Sequence, residues 1–148
     1  MATFEKRHDY HVPTDYFIPS QPNPTETNRF KKSTKGDCVI RAFCLAAGIT
    51  WLEAFDILTA EARATYNVPN DKAVYKAVFL ARGYERVVPK VSKGKKRMTA
   101  EDFCKKHRRG RYILRLANHL CAVVDGKVLD SWNCGNMCVY HYYIVSED

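Results

Sequence analysis

Arg111-Tyr112-Ile113-Leu114-Arg115-Leu116-Ala117-Asn118-His119-Leu120-Cys121-Ala122-Val123-Val124-Asp125-Gly126-Lys127-Val128-Leu129-Asp130-Ser131-Trp132 is the stretch on which the fold turns. It is rich in β-branched and aromatic residues, and Asp125-Gly126 divides two apolar runs, which reads as strands joined by a tight hairpin. The expected strands are 112–116, 119–124 and 127–132, with another at 139–145.

Upstream the apolar residues repeat at helical spacing instead. Val39, Ala42, Phe43 and Ala46 predict a helix over Cys38–Ala47, with Asp37 as N-cap and Gly48 as its stop. Thr50-Trp51-Leu52-Glu53 is a capping box opening a second helix to about residue 66, with Trp51, Ala54, Phe55 and Leu58 as the buried stripe. A third helix is expected between Asn70 and Gly83, with Val74, Ala77, Val78 and Ala81 inward. Residues 85–91 read as a strand, and Thr99-Ala100-Glu101-Asp102 caps a short helix that ends at Gly110. Helices first and an antiparallel sheet afterwards define an α+β domain over residues 36–148. Pro13, Pro19, Pro22 and Pro24 forbid a long helix in residues 1–35. Tyr10, Tyr16, Phe17, Ile18 and Phe30 make that segment too apolar for a free tail, so an extended arm packed on the domain is expected.

A chain of 148 residues, 46% hydrophobic and 27% charged, can bury a core as one soluble domain. Charged residues interrupt every long apolar run, so no membrane partner is expected. The first ten residues carry charges and no apolar core, unlike a secretory signal, and a cytoplasmic location is the expectation. In that compartment the six cysteines are expected as thiols rather than disulfides. Cys134, Cys138 and His141 supply three zinc-type ligands on one segment but no fourth, so neither a structural metal nor a cofactor is expected. The 24 basic and 16 acidic residues leave a net charge of +8. Much of the excess lies in Lys93-Gly94-Lys95-Lys96-Arg97 and Lys105-Lys106-His107-Arg108-Arg109-Gly110-Arg111. These runs lack interleaved aromatics and read as a solvated loop and helix end, not a nucleic-acid platform.

The chemistry concentrates at three residues. Cys38 follows Lys35-Gly36-Asp37 at the first turn of a helix, where the helix terminus favours a thiolate. His119 opens a strand and can supply a proton acceptor if that strand packs beside the helix. With the hairpin turn at Asp125-Gly126, positions 119 and 132 fall roughly opposite each other, so Asp130 lies within reach of His119. An acid bonded to one imidazole nitrogen leaves the other facing the thiol, which is the logic of a Cys-His-Asp nucleophilic site. Cys121 is the rival thiol, but it sits mid-strand, two residues after His119, with no helix terminus.

These segments resemble the small papain-like cysteine peptidases of bacteria and bacteriophages. The resemblance covers roughly residues 35–143 and rests on Gly36-Asp37-Cys38-Val39-Ile40-Arg41-Ala42, on Gly110-Arg111-Tyr112-Ile113-Leu114-Arg115, and on Asn118-His119 through Asp130-Ser131-Trp132. It implies a papain-like fold in which N-terminal helices pack on a C-terminal sheet. By the same resemblance Cys38 is the nucleophile, His119 the general base and acid, Asp130 the histidine orienter, and Trp132 an indole at the substrate side of the triad. Its implied substrate is a polypeptide, a host protein among the candidates. The papain-type glutamine before the nucleophile is absent, since Lys32 and Ser33 occupy its spacing. The oxyanion donor is therefore left to the Cys38 backbone N–H together with Gln21, Asn28 or Thr34. The alternative to a thiol hydrolase is a non-catalytic module that keeps the fold and binds protein or nucleic acid through its basic face.

Overall fold

A computed structural model describes residues 2–7 and 36–148. The apolar residues of the expected arm, from Tyr10 to Phe30, lie outside the described residues. Ten elements follow in chain order: β1 (Phe4–Lys6), α1 (Cys38–Ala47), α2 (Trp51–Ala64), α3 (Lys72–Ala81), β2 (Glu85–Val87), α4 (Ala100–Lys106), β3 (Arg111–Leu116), β4 (His119–Val124), β5 (Lys127–Asp130) and β6 (His141–Ser146). The class is α+β, with four helices and one six-stranded sheet ordered β1-β5-β4-β3-β6-β2.

The sheet is mixed rather than purely antiparallel. β1 runs parallel to β5, with Lys6 opposite Asp130, and the other pairings are antiparallel. Three residues are too few to display a period, so this edge strand leaves no local signal in the sequence.

Both faces of the sheet are covered, which explains why β4 is apolar from Leu120 to Val124 instead of alternating. Ile113, Leu120, Ala122, Leu129 and Tyr143 face a core shared with α1, α2 and α3. Leu114, Leu116, Cys121, Val123 and Val128 face a second core with Phe103 and Cys104 of α4. α1 is buried from Val39 to Ala46 because it lies between the sheet and α2. A helix apolar on every side needs such a place.

Several expected boundaries contract. β2 stops at Val87, two residues before Pro89, and β5 stops at Asp130 rather than residue 132. α4 ends at Lys106 with His107 as its C-cap, short of Gly110. In α3 the buried residues are Val74, Tyr75, Val78 and Phe79, while Ala77 and Ala81 are exposed. Both stripes satisfy the helical period, and the aromatic pair buries more surface than two alanines. Trp51 and Phe55 are only partly buried and stack on one another, with centroids 5.3 Å apart.

The capping box of α2 is complete: the Thr50 hydroxyl accepts from Glu53 N at 3.0 Å, and Glu53 accepts from Thr50 N at 3.2 Å. Thr50→Ala is expected to lower stability by about 1 kcal/mol, read as a shift in urea midpoint at unchanged slope.

The hairpin register matches the expected one, with Val124 opposite Lys127, Val123 opposite Val128 and Ala122 opposite Leu129. Asp125 and Gly126 both take positive φ, 49° and 78°, as a tight turn between twisted strands requires. One end of the sheet thereby gathers the close of β3, the start of β4, the close of β5 and the start of β6, beside the N-terminus of α1.

Candidate active site

Cys38 is the first residue of α1, half-buried, with the helix terminus behind it. Asp37 occupies the N-cap position but makes no capping bond. Its carboxylate instead accepts from Arg41 Nη1 at 2.5 Å and from Trp51 Nε1 at 3.2 Å. Asp37 thus holds the N-cap place expected from the sequence, while a buried guanidinium one turn along the same helix draws its carboxylate away from the backbone amides.

His119 and Asp130 meet across the hairpin. His119 Nε2 donates to Asp130 Oδ2 at 2.7 Å, with both side chains buried. That leaves Nδ1 for Cys38, whose sulfur is hydrogen-bonded to the His119 side chain and to the Leu120 backbone N–H. Burial alone would push the Cys38 thiol up. The His119 and Leu120 hydrogen bonds and the charges of His119 and Arg41 outweigh it, so the thiol lies below its usual 9.0. Burial likewise opposes charge on His119, but hydrogen bonds to Asp130, Cys134 and Cys38 raise the imidazole to about 11. The contact thus favours the imidazolium on His119 and draws Cys38 toward the thiolate.

Asp130 is held by more than His119. Its Oδ1 accepts from Arg41 Nε at 3.1 Å and from the Ser131 backbone N–H at 2.7 Å. A continuous buried path results, from the Trp51 indole through Asp37, Arg41 and Asp130 to His119 and Cys38. Sequence reasoning missed Arg41, whose position on an apolar helix face was its one available signal.

Cys134 was missed as well. It is fully buried, 3.7 Å from Asp130 Oδ2, and it also bonds to His119. Cys121 donates to Cys134, which raises Cys121 and lowers Cys134. Neither sulfur can meet a substrate, because Cys121 and Cys134 are 1% and 0% exposed. His119, Asp130 and Cys134 bring one donor atom each within 4.8 Å of one another. Three donors fall short of a closed tetrahedral zinc set, and Asp130 is already engaged by Arg41, Ser131 and His119. Cys138 and His141 are not part of that group.

The Trp132 indole lies beside the His119 ring, with centroids 4.9 Å apart, and is 43% exposed. Facing Cys38 and His119 is a groove of about 290 Å³ lined also by Tyr75, Arg115, Asn118 and Leu120. Of the oxyanion donors suggested by the sequence, Gln21, Asn28 and Thr34 lie outside the described residues. Elsewhere, the two basic runs converge: Lys95, Lys96, Arg97, Lys105 and Lys106 line one groove of about 660 Å³.

Among the described residues no single helix is long and apolar enough to cross a membrane. No family model, curated protein or solved structure matches this chain.

Proposed function

We propose that the protein is a papain-like thiol hydrolase, most specifically a peptidase that forms an acyl-enzyme on Cys38. The observation that carries this reading is the hydrogen-bonded path from Cys38 through His119 to Asp130, set at a helix N-terminus and open to a groove. The Cys38 thiolate attacks the carbonyl carbon of a peptide bond, forming a C–S bond and an oxyanion. Collapse of that intermediate breaks the C–N bond, and His119 gives its proton to the departing amine. Water then loses a proton to the neutral imidazole, attacks the thioester and releases the acid, which returns the thiolate. Asp130 keeps Nε2 occupied, so Nδ1 remains aimed at the sulfur. The Trp132 indole covers one side of the imidazole and limits access of bulk water to it.

Iodoacetamide at graded pH tests this reading, with the modified cysteine located by mass spectrometry. Cys38 is expected to alkylate fastest of the six thiols at pH 6, and His119→Ala to move its pH profile upward. Equal labelling of Cys38 and Cys138, the two thiols that are not fully buried, would sink the proposal.

The basic groove favours a second reading, in which the fold is a binding module for a polyanion. Tight, salt-sensitive binding of an oligonucleotide by Cys38→Ala, lost when Lys95, Lys96 and Arg97 are changed to glutamate, would promote it over the hydrolase.

A further inference from the structure

The active-site end of the sheet is basic, and its cations are not answered by carboxylates. Arg115, opposite Leu120 on β4 and His141 on β6, lines the groove at Cys38 together with Lys72. A second groove of about 360 Å³ shares Arg115 and Asn118 with the first and adds Tyr140 and His141. Over Tyr140 lies the guanidinium of Arg97, 4.5 Å from the ring centroid, and Arg97 borders the large basic groove. The three depressions therefore follow one another from the basic loop to the Cys38 sulfur.

Among the described residues no carboxylate lies within ion-pair distance of Lys72, Arg97 or Arg115. The nearby acid Asp71 is occupied in capping α3, where it accepts from Ala73 N at 2.9 Å. His141 reports the imbalance: burial, then Arg86, Arg115 and Lys76, push its imidazole down to about 4. Arg115 is also held in place. It bonds the Tyr75 hydroxyl and donates from Nη1 to the Leu116 carbonyl, leaving further N–H donors of its planar fork uncommitted.

We propose that this track receives an acidic segment of a polypeptide substrate, with an aspartate or glutamate side chain seated on Arg115 beside the scissile bond. The inference rests on Cys38 being the nucleophile. A fixed guanidinium matches a planar carboxylate in shape and charge, and a partly desolvated pair of this kind outweighs its neutral amide analogue. A nucleic acid fits less well. The tyrosines on the track form no row of open rings: Tyr75 is 4% exposed and Tyr140 carries the Arg97 guanidinium over its ring, and a phosphodiester offers Cys38 no acyl carbon.

Matched acetyl-tripeptide vinyl sulfones carrying Glu or Gln at each position in turn test the assignment. The thiolate adds to the vinyl carbon and the resulting carbanion takes a proton, so the labelling rate of Cys38 reports capture without turnover. At one position the Glu probe is expected to label about tenfold faster than its Gln partner at low ionic strength. That ratio should shrink as salt rises, fall to near one in Arg115→Met, and fall part of the way in Lys72→Met. Each ratio is internal to one variant, so a weakened fold or a slower thiolate moves both probes alike. A ratio near one at every position, with Cys38 still labelled readily, overturns this inference and leaves the hydrolase reading standing. So does an oligonucleotide that blocks labelling more strongly than polyglutamate. Failure of every reagent, iodoacetamide included, to modify Cys38 removes the hydrolase reading and this inference with it.

Discussion

Cys38→Ala forms no acyl-enzyme from an activated ester, and His119→Ala forms it slower by on the order of 10²–10⁴-fold, the usual worth of a positioned proton carrier. Both expectations follow from where the charge resides. The Cys38 thiol lies below its ordinary value because the hydrogen bonds of His119 and Leu120 and the charges of His119 and Arg41 overcome the burial that would otherwise raise it. Removing the imidazole leaves burial in place with only the Leu120 N–H, the helix terminus and Arg41 to oppose it. The thiolate fraction at neutral pH falls, and the departing group loses its proton donor. The pH profile of the parent carries the same signature. Its acid limb should lie below the 9.0 of an ordinary thiol, and its alkaline limb near 11, where His119 gives up its proton. These limbs belong to the pair rather than to either residue. Burst kinetics with a p-nitrophenyl ester from pH 5 to 11.5 check the prediction. A His119→Ala rate within threefold of the parent would remove His119 from the chemistry.

The parts of this site that were legible in the sequence are those set by local rules. A helix start at Cys38 and a hairpin pivot at Asp125-Gly126 are each written in a few adjacent residues, and the turn fixes the register that carries Asp130 to His119. Arg41, Cys134 and Arg115 were not legible, because each gains its role from a contact between distant segments. Arg41 meets Asp130 across 89 positions, and nothing near Arg41 in the chain announces the partner. Cys134 follows the hairpin in a loop that turns back beneath His119, whereas its sequence context pointed to Cys138 and His141. The α3 stripe failed for a different reason. Periodicity allows two adjacent faces, and only the space beside Phe43 and Tyr143 selects the one bearing Phe79. β1 is the extreme case, a three-residue strand whose partner lies more than a hundred residues away.

Arg41→Met is expected to destabilise the protein by about 3–5 kcal/mol, because it takes the shared guanidinium from two buried carboxylates and leaves Asp130 to His119 and Asp37 to the Trp51 indole. Asp37 is 5% exposed and Asp130 1%, and Arg41 bridges them from one guanidinium. Such a cluster costs desolvation to assemble, so its value shows mainly when one member is taken away. In urea the loss corresponds to a midpoint shift of roughly 2 M at an ordinary slope. Asp37→Asn alone should cost less, since it keeps the polar contact to Trp51 and leaves Arg41 paired with Asp130. The double variant should cost less than the sum of the two, as contacting residues in one network do not add. A second readout separates this cluster from a purely structural one. Without Arg41, Asp130 Oδ1 keeps, among the described residues, only Ser131 as a partner, and the fixed aim of His119 at the Cys38 sulfur loosens. Alkylation of Cys38 in a folded Arg41→Lys variant, which keeps the charge but not the two-armed geometry, should therefore lose selectivity over Cys138 while much of the stability returns. A cost below about 1 kcal/mol for Arg41→Met would mean that water reaches the cluster and that Asp130 needs no buttress; the expected 3–5 kcal/mol is the mark of a dry one.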